Sequence, residues 1–552
     1  MTQNLASPAF LDKKESNKVT GKENIFQMAS STNIKNLKQA VAGVMRPNLF
    51  EKMIQKVAPI YAAKRMKARA SIAWGQGYIG ARFDRNQTKT WFAPHLAADE
   101  TMLWDLITLR ARSRDLMRNA PIGRGAVKTV VTNVVGSGLK LQSCPDAEAL
   151  GLTDEQAAAL KKTIEREFRL FAATTDCDLN RRQNFYGLQS LAFLSALEGG
   201  DSFALMPMVS RTNAVYDTCI QLIEAERVAN PVGQTNGVNL RAGIEIDDNG
   251  TPVAYNVRKF HPFSTAGTID QSGVRIPAFG AKTGRRNILH LIDPERPGQS
   301  RGVPYLAPVM ELLKSLDTYS EAELQAAVIS AMFTVFITTP TGEGFLGHAD
   351  VLNSSPATDG VKAALGPNDV ALGNGSIIDL MPGEKPEFAN PSRPNANFDS
   401  FVQAVMRQIG IALQIPFEVL VKHFTASYSA ARAALLDAWT FFYNRRDWLT
   451  STFCQPVFET WFEEAVAAGR IDAPGFFDDP AIRRAYVKAD WIGDAPVSMD
   501  PLKDANAAQA RLNAKLSSRS EECLQLTGKS WDDVLPQIVQ EQKAIANAGL
   551  NG

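Results

Sequence analysis

Residues 398–446 read FDSFVQAVMRQIGIALQIPFEVLVKHFTASYSAARAALLDAWTFFYNRR. Phe398, Phe401, Val402, Val405, Ile409, Ala412 and Leu413 recur at helical spacing and form one apolar stripe. Asp399, Gln403, Arg407 and Gln414 share the opposite face. Pro416 has no amide proton and disfavours helix at Ile415, so the helix stops there. A short mixed loop, residues 417–427, follows, and a longer helical run opens at Tyr428-Ser-Ala-Ala-Arg432. Two helices joined by a loop that carries Lys422, His423, Phe424 and Thr425 can be a core element with a surface turn. They can equally present a loop into a space. The residues alone leave both readings open.

Upstream of this stretch a long helix is predicted over about residues 305–333. Its polar side carries Glu311, Asp317, Glu321 and Glu323 against a single Lys314, so that face is acidic. Between the two helices, residues 338–394 are dense in Gly and Pro with one short strand, Ser376 to Leu380. That length is too great for a bare connection and reads as a small subdomain of strands and turns.

Residues 1–44, rich in Asn, Ser, Lys and Thr, lack periodicity and read as a mobile arm. Helical patterns occupy residues 49–69 and 99–118; Pro121 restarts a helix that Gly136-Ser-Gly138 ends. Thr153-Asp-Glu-Gln156 is a capping box opening the helix to Ala172, and another helix covers residues 185–198. From Asp201 the pattern turns to strands: residues 202–209, 219–224, a hairpin of 242–246 with 253–257 across an Asn249-Gly250 turn, and 288–292. The Tyr428 helix continues to Ala468 with a break at Pro456. Asp500-Pro501, Ser518 and Ser530 each look like helix starts.

The 552 residues are 45% hydrophobic and 21% charged, enough for large cores and more than one domain. The net charge of +1 hides an asymmetry: residues 1–140 hold 23 Lys and Arg against 9 Asp and Glu. A basic N-terminal quarter suits nucleic acid or an acidic partner, or is simply a solvated surface. Cys144, Cys177, Cys219, Cys454 and Cys523 are scattered and odd in number, which argues against a disulfide framework or a zinc site and for small buried side chains. Residues 1–30 lack the continuous apolar core of a signal peptide, and no run is long enough to span a bilayer. No membrane partner is expected.

Three catalytic patterns match in letters and fail in context. Gly75-Gln-Gly77-Tyr-Ile-Gly80 fits the dinucleotide fingerprint, but residues 64–71 and 81–91 are too polar for the flanking strand and helix. Gly298-Gln-Ser300-Arg-Gly302 fits a nucleophile elbow, yet Pro294 and Pro297 separate Ser300 from any strand. Thr527-Gly-Lys-Ser530 ends like a phosphate loop, but Cys523 stands where its first Gly is required. No histidine spacing suggests a metal. The chain is therefore expected to have no catalytic residues, no cofactor and no metal.

Several stretches carry a resemblance when taken in order. They are Arg112-Ser-Arg-Asp-Leu-Met-Arg-Asn119 with Val134-Val-Gly-Ser-Gly138, then Glu224-Ala-Glu-Arg227 and Arg296-Pro-Gly-Gln-Ser-Arg-Gly-Val303. Ile415-Pro416, Ser427-Tyr-Ser-Ala-Ala-Arg432 with Trp439, Asp490-Trp491 and Asp500-Pro-Leu-Lys503 complete them. Together they resemble the lambda-type portal proteins of tailed bacteriophages over most of the chain. The resemblance implies an α+β portal fold assembled as a homo-dodecamer at one capsid vertex. Its implied parts are an arm (1–44), a wing (45–303 and 428–490), two stem helices (304–335 and 397–415), a clip (336–396), a tunnel loop (416–427) and a crown (491–552). The bracketing of residues 338–394 by two helices fits such a stem–clip–stem excursion independently.

The resemblance further implies partners: double-stranded DNA through the channel, the terminase large subunit, a major capsid or scaffolding protein, and a head–tail adaptor. Lys422, His423, Phe424 and Thr425 would then face DNA. Glu311, Asp317, Glu321, Glu323, Asp399, Gln403 and Arg407 would line the channel or meet a neighbour. Two other readings remain at this level, a nucleic-acid-binding enzyme and a different ring-forming adaptor or capsid protein.

Overall fold

The computed structural model describes residues 93–331, 397–423, 427–496, 498 and 500–548, the backbone of 335–338 and 385–388, and positions 64, 86–88, 90 and 91. The arm, the helix expected over 49–69 apart from position 64, Gly75 to Gly80, the strand expected at Ser376 to Leu380, Phe424 and Thr425 lie outside the described residues. The chain divides into two units, Met1–His95 and Leu96–Gly552.

The second unit begins α1 (Ala98–Met102), α2 (Leu106–Asn119), α3 (Pro121–Val134), β1 (Lys140–Ser143), α4 (Ala147–Leu150), α5 (Asp154–Ala172) and α6 (Phe185–Gly199). Strands β2 (Asp201–Leu205), β3 (Gln221–Ile223), β4 (Leu240–Arg241), β5 (Ile244–Ile246) and β6 (Pro252–Arg258) follow, then α7 (Thr265–Ile269), β7 (Gly273–Pro277) and β8 (Ile288–Ile292). Next come α8 (Met310–Ala331), β9 (Val335–Thr338), β10 (Lys385–Phe388), α9 (Phe398–Ala412), α10 (Phe417–Val421), α11 (Tyr428–Leu449) and α12 (Gln455–Ala467). The chain closes with α13 (Pro480–Tyr486), β11 (Ala489–Ile492), α14 (Pro501–Asn513), α15 (Arg519–Thr527) and α16 (Trp531–Asn547).

Local chemistry explains many of these boundaries. At α5 the Gln156 amide donates to Thr153 Oγ1 at 3.3 Å while the Thr153 amide donates to Gln156 Oε1 at 2.9 Å, a complete capping box. Asp500, Ser518 and Ser530 each accept an amide at the first turn of α14, α15 and α16. Asn249-Gly250 turns between β5 and β6 with Gly250 at φ 83°.

Elsewhere the expected boundaries move. The helix expected over 99–118 is broken at 103–105 into α1 and α2. Strand β2 stops at Leu205, before Pro207, which cannot donate to a ladder. Pro304 and Pro308 delay α8 to Met310 behind a single 3₁₀ turn. The break expected at Pro456 is a π-helical turn, Thr450–Cys454, one turn earlier: Pro456 cannot donate to the Thr452 carbonyl, so the helix widens ahead of it. The largest correction concerns residues 417–427. The expected free loop begins with a helix, α10, whose Val419 and Leu420 are buried.

The helical core is built on Val127, Val130 and Val134 of α3, Phe168 of α5, Phe193 of α6 and Phe458 and Trp461 of α12. Phe168 meets Trp461 edge-on at 5.0 Å and Phe185 stacks on Phe453 at 5.8 Å. Leu313 and Leu316 of α8, with Ile409 and Leu413 flanking the end of α9, join this core. Each of these two helices is thus rooted at one end, α8 by its beginning and α9 by its finish. A smaller core of Phe203, Ile223, Ile244, Tyr255, Val257 and Ile288 lies between two antiparallel sheets, ordered β3-β2-β8 and β4-β5-β6-β7. The strand pair β1–β11 ties residues 140–143 to 489–492. All five cysteines are free; Cys177, Cys219 and Cys454 are buried, whereas Cys144 and Cys523 are half-buried, against the expectation for those two.

Candidate functional site

Tyr319 packs against Phe398 at 5.4 Å and Phe401 at 5.2 Å, so α8 and α9 run side by side from the core outward. Beyond them β9 pairs with β10 in antiparallel register, Lys385 opposite Thr338. The chain therefore leaves α8 and returns to α9 through one point. On α8, Glu311 and Glu321 are exposed, Asp317 and Glu323 are half-buried, and Lys314 pairs with Asp317 at 3.7 Å. At 3.6 residues per turn, Glu323 falls about 160° from Glu321. The four carboxylates are spread around the helix instead of sharing a stripe.

On α9 the expected polar residues do share a face. Gln403 donates to Asp399 Oδ2 at 2.7 Å, and Arg407 donates to Gln403 Oε1 at 3.1 Å. The Arg407 guanidinium also lies 5.3 Å from the centre of the Phe417 ring. After α10, Lys422 takes the left-handed conformation at φ 56° and its amide reaches back to the Glu418 carbonyl. Lys422 and His423 are exposed. Ser427 then caps α11, accepting from the Ala430 amide at 3.4 Å.

The strongest electrostatic feature lies at the base of this assembly, and sequence reasoning missed its role. Asp201, fully buried, accepts from Arg301 Nε at 2.6 Å, Arg110 Nη2 at 2.6 Å and the Gly302 amide at 3.2 Å, and meets His290 Nε2 at 3.1 Å. Arg301 donates onward to the Ala225, Val228 and Ala242 carbonyls and lies over the Phe203 ring. Beside it Arg114 makes a bidentate pair with Glu226 at 2.6 and 2.9 Å. Burial opposes ionisation of Asp201, but Arg301 and Arg110 outweigh it and hold the carboxyl far below the usual carboxylate range. Burial pulls Arg110 down to about 10 despite Asp201. It also lowers His290, which stays neutral.

Glycine is required where this anchor closes. Gly200, at φ 89°, and Gly302 cross backbone to backbone; a Cβ on Gly302 would lie 1.9 Å from the Gly200 carbonyl oxygen. Three of the stretches singled out in sequence, at residues 112–119, 224–227 and 296–303, thus meet at one buried charge cluster. Ser300 is no nucleophile: its amide and hydroxyl both donate to Asp99, at 2.7 and 2.6 Å.

Three of the remaining stretches, 134–138, 427–432 and 500–503, also make specific contacts. Arg446 donates to the Val134 and Asn133 carbonyls at the end of α3 and to the Asp494 carbonyl. Asp494 in turn accepts from the Ser137 amide and hydroxyl, both at 2.8 Å. Arg432 pairs with Asp504 at 3.1 Å, and Lys503 lies over the Tyr428 ring. Gly528 and Ser530 end α15 and begin α16, so Thr527 to Ser530 is a helix junction and holds no phosphate loop. Among the described residues no cluster of His, Cys, Asp and Glu could hold a metal ion, and no helix is long and apolar enough to cross a membrane.

A family model described as phage portal protein, lambda family, matches residues 84–446. The chain belongs to that family. Portal protein B of Escherichia phage lambda is 27% identical over 489 residues, covering 86% of this chain and 90% of the relative. The portal protein of Escherichia phage N15 is 28% identical over 480 residues, covering 84% and 89%. Among solved structures, a chain titled neck of native GTA particle computed with C12 symmetry aligns at 13% identity with a TM-score of 0.39, over 77% of this chain and 99% of that one. As a lambda-family portal protein the chain is a structural component of the virion and not an enzyme. The matched residues include the buried Asp201 anchor, α8, α9, α10 and Arg446.

Proposed function

We propose that copies of this portal protein close into a dodecameric ring at one capsid vertex and conduct double-stranded DNA during packaging and ejection. The observation that carries this reading is the excursion built by α8, β9, β10 and α9. Two helices rooted in one core run outward together, and the chain between them leaves and returns at a strand pair. In this reading 304–335 and 397–415 are the stem, 336–396 the clip and 491–552 the crown, and of the stretch 416–427 only the residues after α10, from Lys422 onward, serve as the tunnel loop. The wing, 45–303 with 428–490, is clamped by the Asp201 and Arg446 anchors.

A conduit must let DNA slide. Duplex DNA carries about one charge per 1.7 Å, and each protein cation that neutralises a phosphate adds affinity. A ring multiplies every lining cation by its subunit number. α8 answers this with Glu311, Asp317, Glu321 and Glu323 against one lysine, and the exposed Lys422 places one cation per subunit at the loop. Partners of such a ring would be the terminase large subunit, a capsid or scaffolding protein and a head–tail adaptor. Native mass spectrometry tests the ring: species at high multiples of 60.2 kDa are expected, and monomers or dimers alone at micromolar concentration contradict it.

A further inference from the structure

We infer that the C-terminal helices α14 to α16 are latched by charge onto the first two turns of α11, which ties their position to that of residues 422–427. The inference deepens the tunnel-loop reading and rests on it for its role in the bore.

The start of α11 lies outside the helical core. Ser427 caps it and Ala431 is buried, but among the described residues from Lys422 to Ala434 no side chain joins that core, which takes up α11 from Leu435 and Ala438 onward. The C-terminal helices lie outside it as well. Among the described residues no side chain of α14, α15 or α16 belongs to either core, and within these helices Ala508 and Glu522 alone are buried. Arg511 holds Glu522 at 2.7 and 2.6 Å, which joins α14 to α15.

α14 meets α11 through polar groups. Arg432 reaches Asp504 at 3.1 Å, and the other carboxylate oxygen of Asp504 accepts from the Ser498 hydroxyl at 2.6 Å. One turn earlier on α11 the Tyr428 ring centre lies 5.5 Å from the Lys503 ammonium, which also pairs with Asp500 at 2.9 Å. Asp500 in turn caps α14 by accepting from the Lys503 amide at 3.2 Å. Two adjacent residues of α14 thus hold two residues of α11 that are four apart and share a helix face. The C-terminal helices also touch the chain at Lys161–Asp532, 2.6 Å, and where Gly528 backs onto Gly493 to Ala495.

Salt weakens contacts of this kind. The Arg432 and Asp504 side chains are 43% and 25% exposed, and the screening length falls from about 10 Å at 0.1 M salt to about 3 Å at 1 M. Coupling through such a latch is reciprocal. A shift of residues 422–427 that turns the start of α11 pulls on Asp504 and Lys503, and a shift of the C-terminal helices pulls on Arg432 and Tyr428. In the conduit reading, DNA that moves the loop is thereby felt at the crown.

Hydrogen exchange in the full-length chain, read by mass spectrometry, tests the latch. Raising salt from about 0.1 M to about 1 M should speed exchange about fivefold at residues 427–434 and at 501–513 together, a change in keeping with the loss of an exposed pair, while 438–449 stay as they were. At the lower salt, Asp504→Asn and Arg432→Gln should each do the same at both places, and the double variant should exchange no faster than either single one. Exchange that quickens at 501–513 alone, at neither place, or with additive effects of the two substitutions would overturn the latch. The measurement needs neither ring nor DNA. Should both places respond together while Asp504→Asn heads package and eject DNA like wild type, the latch stands and the tunnel-loop reading fails instead.

Discussion

Asp201→Asn removes the carboxylate that Arg110 and Arg301 share while keeping the side chain's shape. In the wild type that group accepts from two guanidinium groups, one backbone amide and, across 3.1 Å, His290. Both arginines are buried, and no water can take over the lost charge without opening the packing around Phe203. Breaking a buried pair in this way costs about 3–5 kcal/mol, because the partner charges stay desolvated. Net stabilities lie near 5–15 kcal/mol, so the loss is a large part of the total. In urea, with a slope of about 1–3 kcal/mol per molar, the unfolding midpoint should fall by about 1 M or more. Lys161→Ala is the control. It breaks a 2.6 Å pair with the half-exposed Asp532 and should cost under about 1 kcal/mol. An Asp201→Asn protein within about 1 kcal/mol of wild type would refute the claim that this cluster clamps the wing.

Other outcomes follow from the same geometry. His290 is held neutral by burial, so the unfolded chain takes up a proton below about pH 6.5 that the folded chain refuses. Stability should therefore decline as pH falls from 6.5 toward 5, and His290→Gln should flatten that decline in urea titrations at stepped pH; Asp201 adds its own loss as pH falls through the usual carboxylate range and on below it. Arg446→Met should cost about 2–4 kcal/mol, since it strips donors from three carbonyls near the end of α3, and hydrogen exchange should rise first at residues 133–138. Replacing Lys422-His-Phe424 by Gly-Ser-Gly should leave assembly intact and lower DNA retention in packaged heads; normal packaging and infection would make residues 422–427 a connector only.

Much of this architecture is legible in the sequence where the signal is local. Thr153 to Gln156, Ser427, Asp500, Ser518 and Ser530 announce helix starts by residue type, and the structure caps all five helices there. Ile288–Ile292 is read as a strand and is one. The misreadings occur where tertiary contacts outvote local pattern. Phe417-Glu-Val-Leu-Val421 follows a proline and looks like a loop, yet Val419 and Leu420 reach the core and draw it into a helix. The Asp201 anchor was hidden for another reason. Its members, Arg110, Asp201, His290 and Arg301, are far apart in sequence and meet only on folding. A signal existed in Arg301-Gly302, since an arginine beside a glycine in a proline-flanked segment suits a buried guanidinium at a close backbone crossing. The spread of Glu311, Asp317, Glu321 and Glu323 around α8 could have been read from their spacing alone.

Electron cryo-microscopy of the purified full-length chain tests the central claim most directly. The account predicts closed rings in which α8 and α9 surround a central bore and residues 422–427 project into it. Monomers, isologous dimers, or rings with α8 and α9 turned away from the axis would contradict it.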